Sequence, residues 1–224
     1  MRRLVLSAIL LCGACTAAPA PPPTPSDTGT TTTTTTITTT TASPGELAPL
    51  RVKAATLPAD ALADLGAKEV TEEGPWTKWG IPTTCETSRP DSRDEFGYYV
   101  YHARNWEGPD FGFHHGVAWF KEHDGAAVVA KIRTFAESCE QYVDREYSGS
   151  DQPIALTPFD IPPLPGINAA YGYCEANDEL AACWAVLSGG DLVSIAVIGG
   201  IPHQDEAVGI LLDLLPAVAE KLAN

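Results

Sequence analysis

The chain has 224 residues, with 14 basic against 29 acidic side chains and a formal net charge of −15. That balance excludes nucleic acid and an anionic membrane surface as electrostatic partners. It leaves a basic partner or a cationic ligand open, alongside plain solubility.

The first element is a leader. Arg2 and Arg3 precede a short apolar run, Leu4 to Leu11. Eight helical residues rise about 12 Å, whereas a bilayer needs ~20 residues, so the run reads as a secretory signal and not as a span. Gly13 and Ala14 lead into Cys15, an order that resembles a bacterial lipobox. In that pattern cleavage falls before the cysteine and the new amino terminus is acylated. The pattern usually has Leu three residues before its cysteine; Cys12 stands there, with Leu11 one further back. The expectation is a signal peptide over 1–14 and a lipid on Cys15, palmitate included. The lipid would hold the protein to the extracytoplasmic face of the cell membrane. Ordinary cleavage nearby, with release as a secreted protein, is the alternative.

Residues 16–45 are dominated by Thr, Pro, Ala and Ser, with unbroken threonine runs at 30–36 and 38–41. Such a segment buries too little to offset the entropy of ordering, so a disordered linker over 15–45 is expected. It would span roughly 30 Å as a coil and about 90 Å when extended. Its Ser/Thr/Pro composition also suits O-glycan acceptors. Residues 46–224 then form one domain of ordinary size.

Within that domain Leu57–Leu65 reads as a short helix, and residues 74–93 as irregular. Two aromatic strands follow, in "EFGYYVYHARNW" and "HHGVAWFKE". From Gly125 to Val143 the apolar residues Val128, Ile132, Phe135, Cys139 and Tyr142 recur at steps of three and four, which predicts an amphipathic helix with Cys139 on its buried face. Residues 144–165 read as a proline-containing connection. Three strands are expected at about 169–176, 180–187 and 192–198, with turns at Asn177–Asp178 and Gly189–Gly190–Asp191. An apolar helix over 205–222 closes the chain, with Pro216 expected to kink it. Strands joined by short turns and bracketed by helices give an α+β domain: an antiparallel twisted sheet packed with helices.

In an oxidising compartment Cys85, Cys139, Cys174 and Cys183 read as two disulfides. Four cysteines allow three pairings. A tight hairpin around Asp178–Glu179 would bring Cys174 opposite Cys183 and leave Cys85 with Cys139. No CxxC occurs among these four, so zinc ribbons and thioredoxin chemistry have no support.

The landmarks together carry a resemblance. They are "LPADAL", the cysteine of "IPTTCE", the pair "GVAWF" and "GAAVVAKIRTFAESCEQY", the stretch "YGYCE…CWAVLSGGDLVSIAVIGG", and the closing "DEAVGILLDLLPAVAEKLA". Their order resembles the PknH-like extracytoplasmic sensor domain family of actinobacterial lipoproteins, over about residues 50–224. The resemblance implies a sheet with a cleft, two disulfides and a ligand-binding role. It supplies no catalytic residues. Without a kinase segment or membrane span, this chain would be a free-standing lipoprotein version.

The residues themselves contain no GxSxG, HExxH, SxxK or phosphate-cradling loop. His102, His114, His115 and His123 cluster in sequence, with His203 distant, but His114 and His115 on one strand point to opposite faces, so no metal site and no cofactor is expected. The acidic pairs Glu72–Glu73, Asp91–Asp94 and Glu175–Asp178 read as solvated surface. Of Trp76, Trp79, Trp106, Trp119 and Trp184, the last two suit a core. Trp106, beside "EGPDFG", suits a loop at a cleft mouth; Trp106 and His115 are the candidate cleft residues. The expected function is non-catalytic: a sensor-like domain binding a small envelope molecule or a cell-surface protein. The alternative is a secreted hydrolase whose active site is assembled from distant Asp, Glu and His.

Overall fold

The computed structural model describes residues 43–70, 99–138, 140–143, 152–178 and 181–224. Cys15, the threonine runs, the irregular 74–93 segment, Cys85 and Cys139 lie outside these residues.

The described residues form an eight-stranded antiparallel sheet in the order β1-β2-β3-β8-β7-β6-β5-β4. The strands are β1 (Lys68–Val70), β2 (Tyr99–Glu107), β3 (Gly112–Phe120), β4 (Gln141–Tyr142), β5 (Ile154–Phe159), β6 (Ala169–Ala176), β7 (Ala181–Gly189) and β8 (Leu192–Ile201). Two meanders, β1–β3 and β4–β8, meet where β3 pairs with β8, from Gly112↔Gly199 to Trp119↔Leu192. Period-two alternation sorts the side chains onto two faces. Helices α1 (Pro44–Ala55) and α3 (Gln204–Ala223) join one face, whose core includes Trp106, Phe113, Val117, Trp119, Ala185, Leu187 and Ile198. Helix α2 (Gly125–Glu137) covers part of the other, over Ala118, Phe120, Tyr171, Val186 and Ile195. The α+β expectation therefore holds, with the sheet antiparallel throughout.

Helix α2 is capped by Asp124, whose carboxylate accepts from Ala127 N–H at 2.7 Å. Its buried residues Val128, Val129, Ile132 and Ala136 mark the expected apolar stripe. It stops at Glu137, six residues short of the predicted end, where Ser138 N–H and Oγ both bond back to Phe135 O. Its first turn abuts the β7–β8 turn: a Cβ on Gly125 would lie 2.8 Å from Gly190 O. Helix α3 runs through Pro216 as one element. No described helix is long and apolar enough to cross a membrane.

Three local expectations are corrected. Leu57–Leu65 is not a helix; it is a set of turns ending in a 3-10 turn at Ala63–Leu65. The true first helix, α1, starts at Pro44, inside the segment read as linker, with a capping box between Ser43 and Glu46. The 144–165 connection contains β5, whose Pro158 lies beyond the two β4 residues that pair with it. Pro158 therefore has no ladder partner on that side to donate to, and the strand tolerates it.

In the β6–β7 hairpin Cys174 lies directly opposite Cys183, and the two form a disulfide, as the hairpin reading required.

Candidate functional site

A groove of about 670 Å³ opens at the end of the sheet where β2 turns into β3. Its wall is the β2–β3 turn, closed by Gly108 N–H donating to Phe111 O at 2.8 Å. Its other sides come from Val70 at the end of β1 and from Val197, Gly199 and Gly200 of β8. Gly200 is the extra residue of a β-bulge: Ala181 pairs with Ile201 while Ala182 pairs with Gly199. Its φ of +85° is a conformation glycine adopts without strain. Bulges of this kind re-aim a strand end beside sites.

Asn105 and His114 sit directly opposite each other on β2 and β3, at the groove. Asn105 Oδ1 accepts from His114 Nδ1–H at 2.7 Å. Nε2 is then left to accept from the Tyr101 hydroxyl at 2.8 Å. Tyr101 reaches it by lying across Gly116, where any Cβ would be 2.3 Å from the tyrosine oxygen. Burial pushes the His114 pKa down to about 4, so the ring is neutral near pH 7. Glu107 and Asp110 supply carboxylates at the rim, and Phe111 an aromatic surface. Among the described residues no Lys, Arg or second histidine lines this groove.

The two sequence-predicted cleft residues lie elsewhere in character. Trp106 borders the groove, but its indole is only 2 % exposed. It packs against Phe113 and donates from Nε1 to Ala59 O at 2.8 Å. His115 is wholly buried on the opposite face from His114, bonded to Leu57 N–H and Ser194 Oγ. Thus the two neighbouring histidines do diverge. Among the described residues no group of three or more His, Cys, Asp or Glu could hold a metal ion. His203 and Asp178 are exposed; His123 and Glu175 are half-buried. Trp119 is in the core, with Nε1 on Asp191, while Trp184 is only partly buried and stacks on Tyr173. The other acidic pairs, Trp76 and Trp79 lie outside the described residues. Sequence reading missed the pairing of His114 with Asn105 and the bulge; the one available signal was Gly199–Gly200 after a β-branched run.

A second cavity, of about 540 Å³, lies between α1 and the end of α3. Arg51 closes on Asp191 there through two bonds, one of 2.7 Å, and these bonds hold the Asp191 pKa below the usual carboxylate range.

Sheet order, helix placement and groove define an α+β domain made of two joined antiparallel meanders. The extracellular domain of PknH from Mycobacterium tuberculosis is similar in fold: 13% identity, a TM-score of 0.50, and coverage of 77% of this chain and 97% of that one. An uncharacterised protein of Mycobacterium smegmatis, the Rv0999 ortholog, aligns at 10% identity and a TM-score of 0.38, covering 75% and 97%. No protein-family model matches the chain, and no curated protein does.

Proposed function

We propose that this chain is a lipid-anchored, extracytoplasmic binding domain, non-enzymatic and sensor-like. It takes a small envelope molecule or a segment of a cell-surface protein in the groove at the β2–β3 turn. The observation that carries the reading is the groove itself: a cavity fixed by paired strands, with an aromatic surface, a neutral histidine and an amide at one end. Rigid sheets commonly present recognition loops in this way. Fold likeness to an extracellular domain supports the extracytoplasmic side. The lipid on Cys15 and a second bridge, Cys85–Cys139, belong to the same proposal.

Among the described residues the hydrolase alternative gains no supporting geometry. His115, which is bonded to Ser194, directs its Nε2–H at the Oγ, the reverse of what a general base requires.

The test is a thermal-shift screen of the purified protein against envelope lipids and glycans. A ligand so found should lose on the order of tenfold in affinity with Phe111→Ala, as aromatic contacts do. It should lose nothing with Leu50→Ala, which alters an exposed position on α1. Equal loss in both variants, or turnover of the ligand, would overturn the reading.

A further inference from the structure

The carboxyl end of α1 is fixed to the sheet by a chain of buried and half-buried polar contacts. Thr56 Oγ1 donates to Val52 O at 2.8 Å, so it accepts from His102 Nδ1–H at 3.1 Å. One residue on, Leu57 N–H donates to His115 Nδ1 at 3.0 Å. A backbone N–H can only donate, so that ring nitrogen carries a lone pair and the proton sits on Nε2, directed at Ser194 Oγ 2.9 Å away. His115 is therefore neutral by geometry. A second proton has one place to go, Nδ1, where it would oppose the Leu57 N–H.

We propose that His115 is an acid-sensitive latch, in which protonation of its ring is coupled to release of residues 43–65 from the sheet. Of the groups around it, all but Glu69 favour that outcome. His115 is fully buried, which penalises the charged form first; His114 beside it and His102 on β2 add repulsion. Burial is the first cause that opposes charge on His102, with Arg104 on β2 and Lys53 on α1 adding to it, while Glu69 on β1, ion-paired with Arg104, favours it. From β8 comes only the Ser194 hydroxyl, and α3 meets this core through apolar residues such as Leu211 and Leu215. None of the hydrogen bonds to the ring comes from a carboxylate.

The sign follows. In the closed state the His115 pKa lies near 3, against 6.5 for a free ring. The stabilisation is complete above the free value and drains away as pH falls from 6.5 toward 3, with the uptake of a single proton on opening. The backbone of His115 stays paired with Arg104 and Ala196, so the sheet need not open with the segment. Ala48, Val52, Ala55, Leu57 and Leu62 would leave a core that includes Trp106, Phe113 and Trp119. An apolar face would be uncovered at low pH, by local opening of a single segment.

Amide hydrogen exchange of the full chain between about pH 8 and about pH 4.5, corrected for intrinsic rates, tests this. The opening constant of amides 47–57 should rise on the order of tenfold per pH unit below ~6.5, while amides 185–187 and 195–198 keep theirs. In His115→Asn an amide oxygen can take the place of Nδ1 and cannot titrate, so the slope should fall by about one proton, leaving at most the share of His102, whose pKa is also held down by burial. A flat wild type, a parallel rise in the sheet amides, or an unchanged slope in His115→Asn would each overturn the latch. If that variant does not fold, imidazole titration by NMR in the wild type decides: His115 must take up its proton in step with α1 opening. A ring that titrates while α1 stays protected would refute the coupling.

Discussion

At the scale of single residues, parity on a strand decides role. Trp106 and His115 lie on one face of the β2–β3 ladder, Asn105 and His114 on the other. The amino-acid pattern shows that neighbours alternate but not which face meets α1 and α3, because that depends on helices distant in the chain. Trp106 thus reads as a mouth residue from its glycine- and proline-rich neighbours, yet its indole is packed and hydrogen-bonded. Trp106→Ala should cost about 3–5 kcal/mol, the range for emptying a buried aromatic site. Urea unfolding checks this; a loss under about 1 kcal/mol would mean that the indole is not held as described.

At the scale of elements, legibility tracked local composition and spacing. Helix α2 shows steps of three and four, α3 is an apolar run, and β2, β3, β6, β7 and β8 are aromatic or β-branched segments bounded by turn residues. Helix α1, "PGELAPLRVKAA", has Pro49 in its interior and apolar residues on both sides: Val52 buried, Leu47 and Leu50 exposed. It lacks a face until the sheet supplies one. Strand β5 was hidden by Pro158, and β4 has only two residues. The candidate groove was half legible: Trp106 with the adjoining "EGPDFG" turn was singled out, but Val70 and the Gly200 bulge come from strands whose neighbours only the topology fixes. The contact between α2 and the β7–β8 turn gives a prediction at this level. Gly125→Ala would press a methyl against two backbone carbonyls, Gly190 O and Leu192 O, which cannot swing aside as a side-chain tip can. Overpacking of that kind costs about 1–3 kcal/mol. A melting temperature unchanged in Gly125→Ala would show that the turn yields freely.

For the whole molecule, the proposed address rests on Cys15. Cys15→Ala should move the protein from the detergent phase to the aqueous phase in a partition assay, because one lost acylated cysteine removes the only proposed anchor. Unchanged partitioning would remove lipid attachment from the proposal.

The seam between β3 and β8 has a kinetic consequence. Each meander closes through contacts between consecutive strands, and the β6–β7 hairpin is further held by its disulfide. The seam instead joins 112–119 to 192–199, across most of the domain. Non-local pairings of this kind carry a larger loop-closure entropy and form late. A chain delivered amino terminus first would therefore present β1–β3 without their central neighbour until β8 arrives. In pulse-labelled refolding the amides of β6 and β7 should gain protection before those of the β3–β8 pair. Simultaneous protection of both would mean that the two halves dock as fast as they form.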